Sequence, residues 1–244
     1  AAPRAEPAAL RTSAEGRVEG ELPRLEIGQR DTASRAPVAF GEDLRGLAGG
    51  IVNLNQSVGE LERRLDGIGD AGPIVGSNGH VYTVWPDEMS KFSTKSFADW
   101  QSLVATPHYK NVTLLKEPAA ALSVPDKVDL VFTSQNYHDY HDPFMGPVNM
   151  LAFDKQVFDA LKPGGVFVVI DHVAPAGSGA GDTNTLHRID PMLVKKEVEA
   201  AGFRFDGESD ALRNPADPHT AKVFDKSIRG HTDQFIYRFR KPPG

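Results

Sequence analysis

The chain has 244 residues, 40% of them apolar, and 27 Lys and Arg against 33 Asp and Glu give a formal charge of −6. A mildly acidic chain with no basic run is not built to hold nucleic acid by bulk electrostatics, and its length suits one large domain plus an arm. The absence of cysteine excludes disulfides, a thiolate nucleophile and Cys-ligated zinc, and no apolar run is long enough to span a bilayer.

The opening AAPRAEPAAL has neither Met nor an apolar h-region, which fits a cytoplasmic chain and also a mature exported form. Residues 1–43 are rich in Ala, Pro, Arg and Glu without a sustained period, the composition of a disordered or extended arm. From Leu44 to Ile68, the residues Leu47, Ile51, Leu54, Val58, Leu61, Leu65 and Ile68 recur at three- and four-residue spacing. That stripe predicts an atypical helical segment over 44–70, broken by GDAGP at 69–73.

From Gly79 onward strand and helix patterns alternate. HVYTVW (80–85) reads as a strand closed by Pro86, the segment around Phe97–Val104 as a helix, and NVTLL (111–115) as a strand. KVDLVFT (127–133) has the nearly continuous apolar centre of a parallel strand covered on both faces. Asn149–Leu161 carries a helical apolar face, KPGG (162–165) is expected to stop it and turn the chain, and VFVVI (166–170) is the most strand-like run present. After the glycine-rich APAGSGAGD (174–182), Asp190 and Pro191 are the N-cap and first residue of a helix ending before Gly202. FRF (203–205) starts a strand, and TDQFIYRFRK (232–241) alternates as a half-exposed one. The order predicts an α/β fold with a mainly parallel sheet and an antiparallel last strand.

Open α/β sheets bind ligands beyond the carboxyl ends of their strands. Here those ends carry Trp85-Pro86-Asp87-Glu88, Lys116-Glu117, Ser134 through Asp142, and Asp171-His172. Asp87 and Glu88 suit hydrogen bonds from a ribose, and suit equally a capped turn. TSQNYHDYHD (133–142) admits three readings. His138 and His141, flanked by Asp139 and Asp142 and with His172 nearby, have the donor types of an N/O metal site. His138 or His172, oriented by Asp139 or Asp171, has the titration range of an acid/base group. Tyr137, His138 and Asp139 could also simply cap the next helix and order the loop. His187 and Arg188 could reach over the cleft beneath a mobile glycine-rich lid at 176–181.

GHVYTVWP (79–86), DLVFTSQNYHD (129–139), LKPGGVFVVIDH (161–172), DTNTLHRID (182–190), and VEAAGFRF followed by ESDALRNPADPH carry a family resemblance. The stretch from about residue 74 to the end resembles the class I S-adenosylmethionine-dependent methyltransferases. It looks closest to a bacterial branch of predicted methyltransferases with unassigned substrate. The resemblance implies a Rossmann-like methyltransferase domain over 44–244 with S-adenosylmethionine as cofactor and a small-molecule acceptor. On it, the cofactor-binding candidates are Trp85, Asp87, Glu88, Glu117, Ser134, Gln135 and Asn136, and the catalytic candidates are His138, Asp139 and His172. No residue is assigned there as a metal ligand. The family's G-x-G-x-G turn after a first strand is not matched, GIGDAG (67–72) being the only glycine-rich piece of that region. Two other functions compete: a non-catalytic scaffold without donor binding, and a metal-dependent hydrolase built on His138, His141 and Asp142.

Overall fold

The computed structural model describes residues 50–53, 79–91 and 94–244. Seven strands form one sheet: β1 (Gly50–Asn53), β2 (His80–Pro86), β3 (Val112–Glu117), β4 (Val128–Ser134), β5 (Leu161–His172), β6 (Arg204–Ser209) and β7 (Gln234–Arg240). Their spatial order is β3-β2-β1-β4-β5-β7-β6. Strands β1 to β5 run parallel, while β7 pairs antiparallel with both β5 and β6. The helices are α1 (Thr94–Val104), α2 (Met150–Ala160), α3 (Thr183–Leu186) and α4 (Pro191–Ala200). Among the described residues no helix is long and apolar enough to cross a membrane.

The main core lies on one face of the sheet. Val131, Phe167, Val169, Tyr237 and Phe239 meet Phe153 and Val157 of α2 and Val194 and Val198 of α4 there. A smaller cluster of Val81, Leu130, Val168 and Ile236 lies on the other face. Adjacent residues of one strand divide between the two clusters, as the pleat requires. Both helices have side-chain caps. Asn149 accepts from the Ala152 amide at 3.0 Å, and Asp190 accepts from the Met192 amide at 2.9 Å with Pro191 in the first turn. Gly202, at φ +109°, lets the chain leave α4 in a conformation that disfavours a side chain.

Three local expectations are corrected. Gly50–Asn53 lies inside the expected 44–70 helical stripe, yet it is a strand between β2 and β4. Pairing on both edges outweighs the helical spacing of a few leucines, because tertiary context overrides local pattern. The rest of 44–70, the 1–43 arm and GIGDAG lie outside the described residues. KPGG is not a turn ahead of a strand but part of β5, where the register against β4 jumps between Val128 and Leu130. That irregularity brings backbones together: a Cβ on Gly165 would stand 2.9 Å from the Lys162 carbonyl oxygen and 3.2 Å from that of Asp129. Finally, β7 is not half-exposed but buried on both faces up to Phe239. As an interior strand it must place Arg238 inside, and that guanidinium donates to the Asp206 carbonyl and pairs with its carboxylate at 3.1 Å.

Gly165→Ala is expected to destabilise the fold by about 1–3 kcal/mol, the range for overpacking against atoms that cannot step aside. Urea unfolding checks this, and an unchanged midpoint would mean that the β4–β5 bulge yields freely.

Candidate functional site

Strand β4 ends at Ser134, and Gln135 turns the chain at φ +61° while its amide donates to the Ile170 carbonyl at 2.7 Å. Short 3₁₀ turns follow at His138–His141 and Pro143–Met145, separated by Asp142 in an extended conformation ahead of Pro143. Tyr137 makes no side-chain cap there, and the next α-helix is capped by Asn149. Residues 137–139 thus do not cap that helix, but Tyr137 and His138 order the loop through Asp154 and Asp171.

The turn places His138 over the end of β5. His138 donates its backbone amide to Asp171 Oδ2 at 2.9 Å, and its Nδ1 lies 2.8 Å from Asp171 Oδ1. Its Nε2 lies 3.3 Å from His187 Nδ1 and 3.3 Å from Asp139 Oδ1, and His187 Nδ1 lies 3.9 Å from that same oxygen. His187 sits just after α3 at φ +55°, a left-handed conformation uncommon for a residue with a side chain. Its ring is only partly buried and stacks at a tilt on exposed Phe224, 4.9 Å between centroids.

The electrostatics follow from burial and partners. Burial by itself would push the His138 imidazole down, but the Asp171 carboxylate against it wins and raises it to about 9. Asp171 is correspondingly lowered, the attraction of His138 outweighing its burial. Burial raises Asp139 to about 6, against the pull of His138. Burial and the nearby His138 charge lower His187 to about 4. Asp142 is buried, and burial raises it against the pull of the Thr183 hydroxyl and of His138 and His141.

A second polar group stands beside this one. Tyr137 Oη lies 2.9 Å from Asp154 Oδ2 and 3.3 Å from Glu197 Oε2, and His141 Nε2 lies 3.1 Å from Glu197. Burial raises Asp154 well above the usual carboxylate range, and the Tyr137 hydroxyl donates to its Oδ2. His141 thus faces α4 rather than His138, so His138, His141 and Asp142 do not assemble as the ligands of a hydrolase. The close cluster is His138, Asp139 and His187.

The other expected positions separate. His172 follows Asp171; its Nδ1 meets Thr232 Oγ1 at 2.8 Å, and its ring centroid lies 6.3 Å from that of His138. Burial, with the charges of His138 and Arg188, lowers it to about 4. Trp85 is buried against Trp100 and Phe97, with its indole nitrogen without a partner among the described residues. Glu88 accepts from the Ala119 amide at 2.9 Å and Glu117 from the Ser123 amide at 2.8 Å, so both carboxylates secure loops. Asp87 stays exposed, 3.6 Å from Lys116 Nζ. Gln135 Nε2 donates to Gln234 on β7 at 2.9 Å, and Asn136 is buried and accepts from the Thr133 hydroxyl. Ser134 Oγ is buried without a partner among the described residues.

Two loop expectations also change. Arg188 does not reach over a cleft, because its guanidinium is wholly buried, paired with Asp217 at 2.9 Å and donating to the carbonyls of Val173 and Ala221. The glycine-rich loop is pinned: the Gly177 amide donates to Asp190 Oδ2 at 2.8 Å, and the Asp190 amide to the Gly179 carbonyl at 3.1 Å. A single carboxylate caps α4 and fastens the loop.

No protein-family model matches the chain, and a search of curated proteins finds no match. Solved structures do share its fold. The glycopeptide N-methyltransferase MtfA complexed with sinefungin superposes with a TM-score of 0.54 at 15% identity, over 83% of this chain and 91% of that one. An S-adenosylmethionine-dependent methyltransferase from Mesorhizobium loti gives 0.51 at 18%, over 82% and 95%. The [4+2]-cyclase SpnF gives 0.53 at 18%, over 84% and 79%. At these identities the likeness is one of fold: a Rossmann-like sheet with mixed strand directions.

The buried His172 has a stability signature. Its pKa in the fold, about 4, lies below its ordinary value near 6.5, so its contribution is complete above pH 6.5 and is lost as pH falls toward 4. His172→Gln keeps a polar group near Thr232 but cannot titrate. The melting-temperature gap between wild type and variant is expected to narrow from pH 7 to pH 4.5. Parallel curves would show that His172 does not stay neutral in the fold.

Proposed function

We propose that the chain transfers a methyl group from S-adenosylmethionine to a small-molecule acceptor. The observation that carries this reading is the change of direction in strand order at β1, which leads to β2 and β3 on one side and to β4 and β5 on the other. Ligands bind beyond the carboxyl ends of such strands, and this chain gathers Asp87 and Ser134–His138 at those ends. Further support comes from the fold shared with MtfA, solved with sinefungin.

The residues present fit a donor of this kind. In this reading Asp87, with its carboxylate in solvent at the end of β2, accepts hydrogen bonds from the ribose hydroxyls. Ser134 Oγ, buried with no partner of its own, is a wall atom left for a ligand to satisfy. A bound donor supplies an electrophilic methyl group. The chain has to align the acceptor lone pair with it and exclude water. The cluster of His138, Asp139 and His187, steadied by Asp171, edges that space from the β4–β5 side and handles the proton the acceptor gives up.

Calorimetric titration with S-adenosylmethionine and S-adenosylhomocysteine is expected to give one-to-one binding in the micromolar range. Asp87→Ala is expected to weaken both about tenfold, or roughly 1.4 kcal/mol. Absence of binding by either ligand would sink this reading and favour a scaffold that has lost its donor pocket.

A further inference from the structure

We infer that His138 Nε2, Asp139 Oδ1 and His187 Nδ1 form a binding site for one divalent first-row transition-metal ion. The three atoms make a triangle with edges of 3.3, 3.3 and 3.9 Å. A point equidistant from its corners lies about 2 Å from each, the length of metal–imidazole and metal–carboxylate bonds. Two imidazoles and one carboxylate favour zinc, iron, cobalt, nickel or manganese over magnesium and calcium, which prefer oxygen ligands alone.

Two further observations fit a ligand set. His138 Nδ1 rests against the Asp171 carboxylate, so that Nε2 faces the other two corners of the triangle. That carboxylate–histidine arrangement fixes the tautomer and the ring orientation of metal-bound histidines. His187 adopts its left-handed backbone in the turn that brings its ring to His138, and such strain in a residue with a side chain is typical of functional sites.

Three protein ligands leave at least one coordination position for a further ligand, as in catalytic rather than structural sites. Water or an oxygen of a bound molecule fills them, and coordination lowers the pKa of that oxygen. The ligand triangle stands without the methyl-transfer reading. Only the use of the ion to make an acceptor hydroxyl nucleophilic rests on that reading.

The test uses the full chain, stripped with a chelator and titrated with Zn²⁺ alone by calorimetry, and with Co²⁺ alone by visible absorption. One equivalent is expected to bind, with d–d bands that report nitrogen and oxygen ligation. His187→Ala, at a partly exposed position, is expected to keep the wild-type melting temperature of the metal-free protein and lose at least 100-fold in affinity. Asp139→Asn is expected to lose at least 10-fold, and His141→Ala to retain full affinity. No stoichiometric binding, or equal affinity in His187→Ala, overturns the inference. S-adenosylmethionine is titrated into the same metal-free and metal-loaded samples. Metal binding without donor binding removes only the methyl-transfer reading, and donor binding without metal binding removes only the metal site.

Discussion

The Asp171 carboxylate is the interaction on which the site depends. It lies at the end of β5 and accepts from the His138 amide, from the His172 amide at 2.7 Å and from the His138 ring. Burying a carboxylate this deeply is costly unless its lone pairs are satisfied and a positive partner is near. Both conditions are met by the chain leaving β4. The turn at 135–138 is therefore positioned by a charge at the end of the neighbouring strand, and the backbone of one strand end and the side chain of the next form a single unit. His187, arriving from α3, then has a fixed ring to meet.

The second polar group works differently. Asp154, Tyr137 and Glu197 join α2, α4 and the β4 loop through the Tyr137 hydroxyl, with His141 at the outer end on Glu197. These buried polar contacts specify which helix faces meet. The two clusters come from adjacent residues of one short segment, yet one gathers on Asp171 and the other on the Tyr137 hydroxyl. Their separation keeps His141 away from His138 despite a spacing of three in the chain.

Much of the fold from Gly79 onward is legible in the sequence because apolar runs there are closed by Pro, Gly or polar strand ends. The four-residue strand Gly50–Asn53 is not, because its stabilisation comes from partners far away in the chain, while its immediate surroundings repeat leucine at helical spacing. KPGG reads as punctuation, and only the approach of Asp129 and Lys162 to Gly165 reveals a bulge within a strand. At the site, the strand-end rule picks out His138 and Asp139. It also treats Asp171 and His172 as equivalent, although alternation along VFVVIDH already puts them on opposite faces. His187 is 49 residues from His138, and its place follows from the loop that Asp190 and Arg188 secure. Nothing in local composition reports that closure.

The shortness of β1 has a mechanical consequence. Within the sheet and among the described residues, β2 and β3 are joined to β4, β5, β7 and β6 through the four residues Gly50–Asn53, paired along one edge to His80–Thr83 and along the other to Leu130–Phe132. The described ladders elsewhere run to six and seven residues. That short ladder is the line along which the strands bearing Asp87 and His138 meet in the sheet. Cooperative units of unfolding tend to divide where the ladders are shortest. A molecule lying across the strand ends would span that line, and its binding energy would act as a rivet between the two sets of strands.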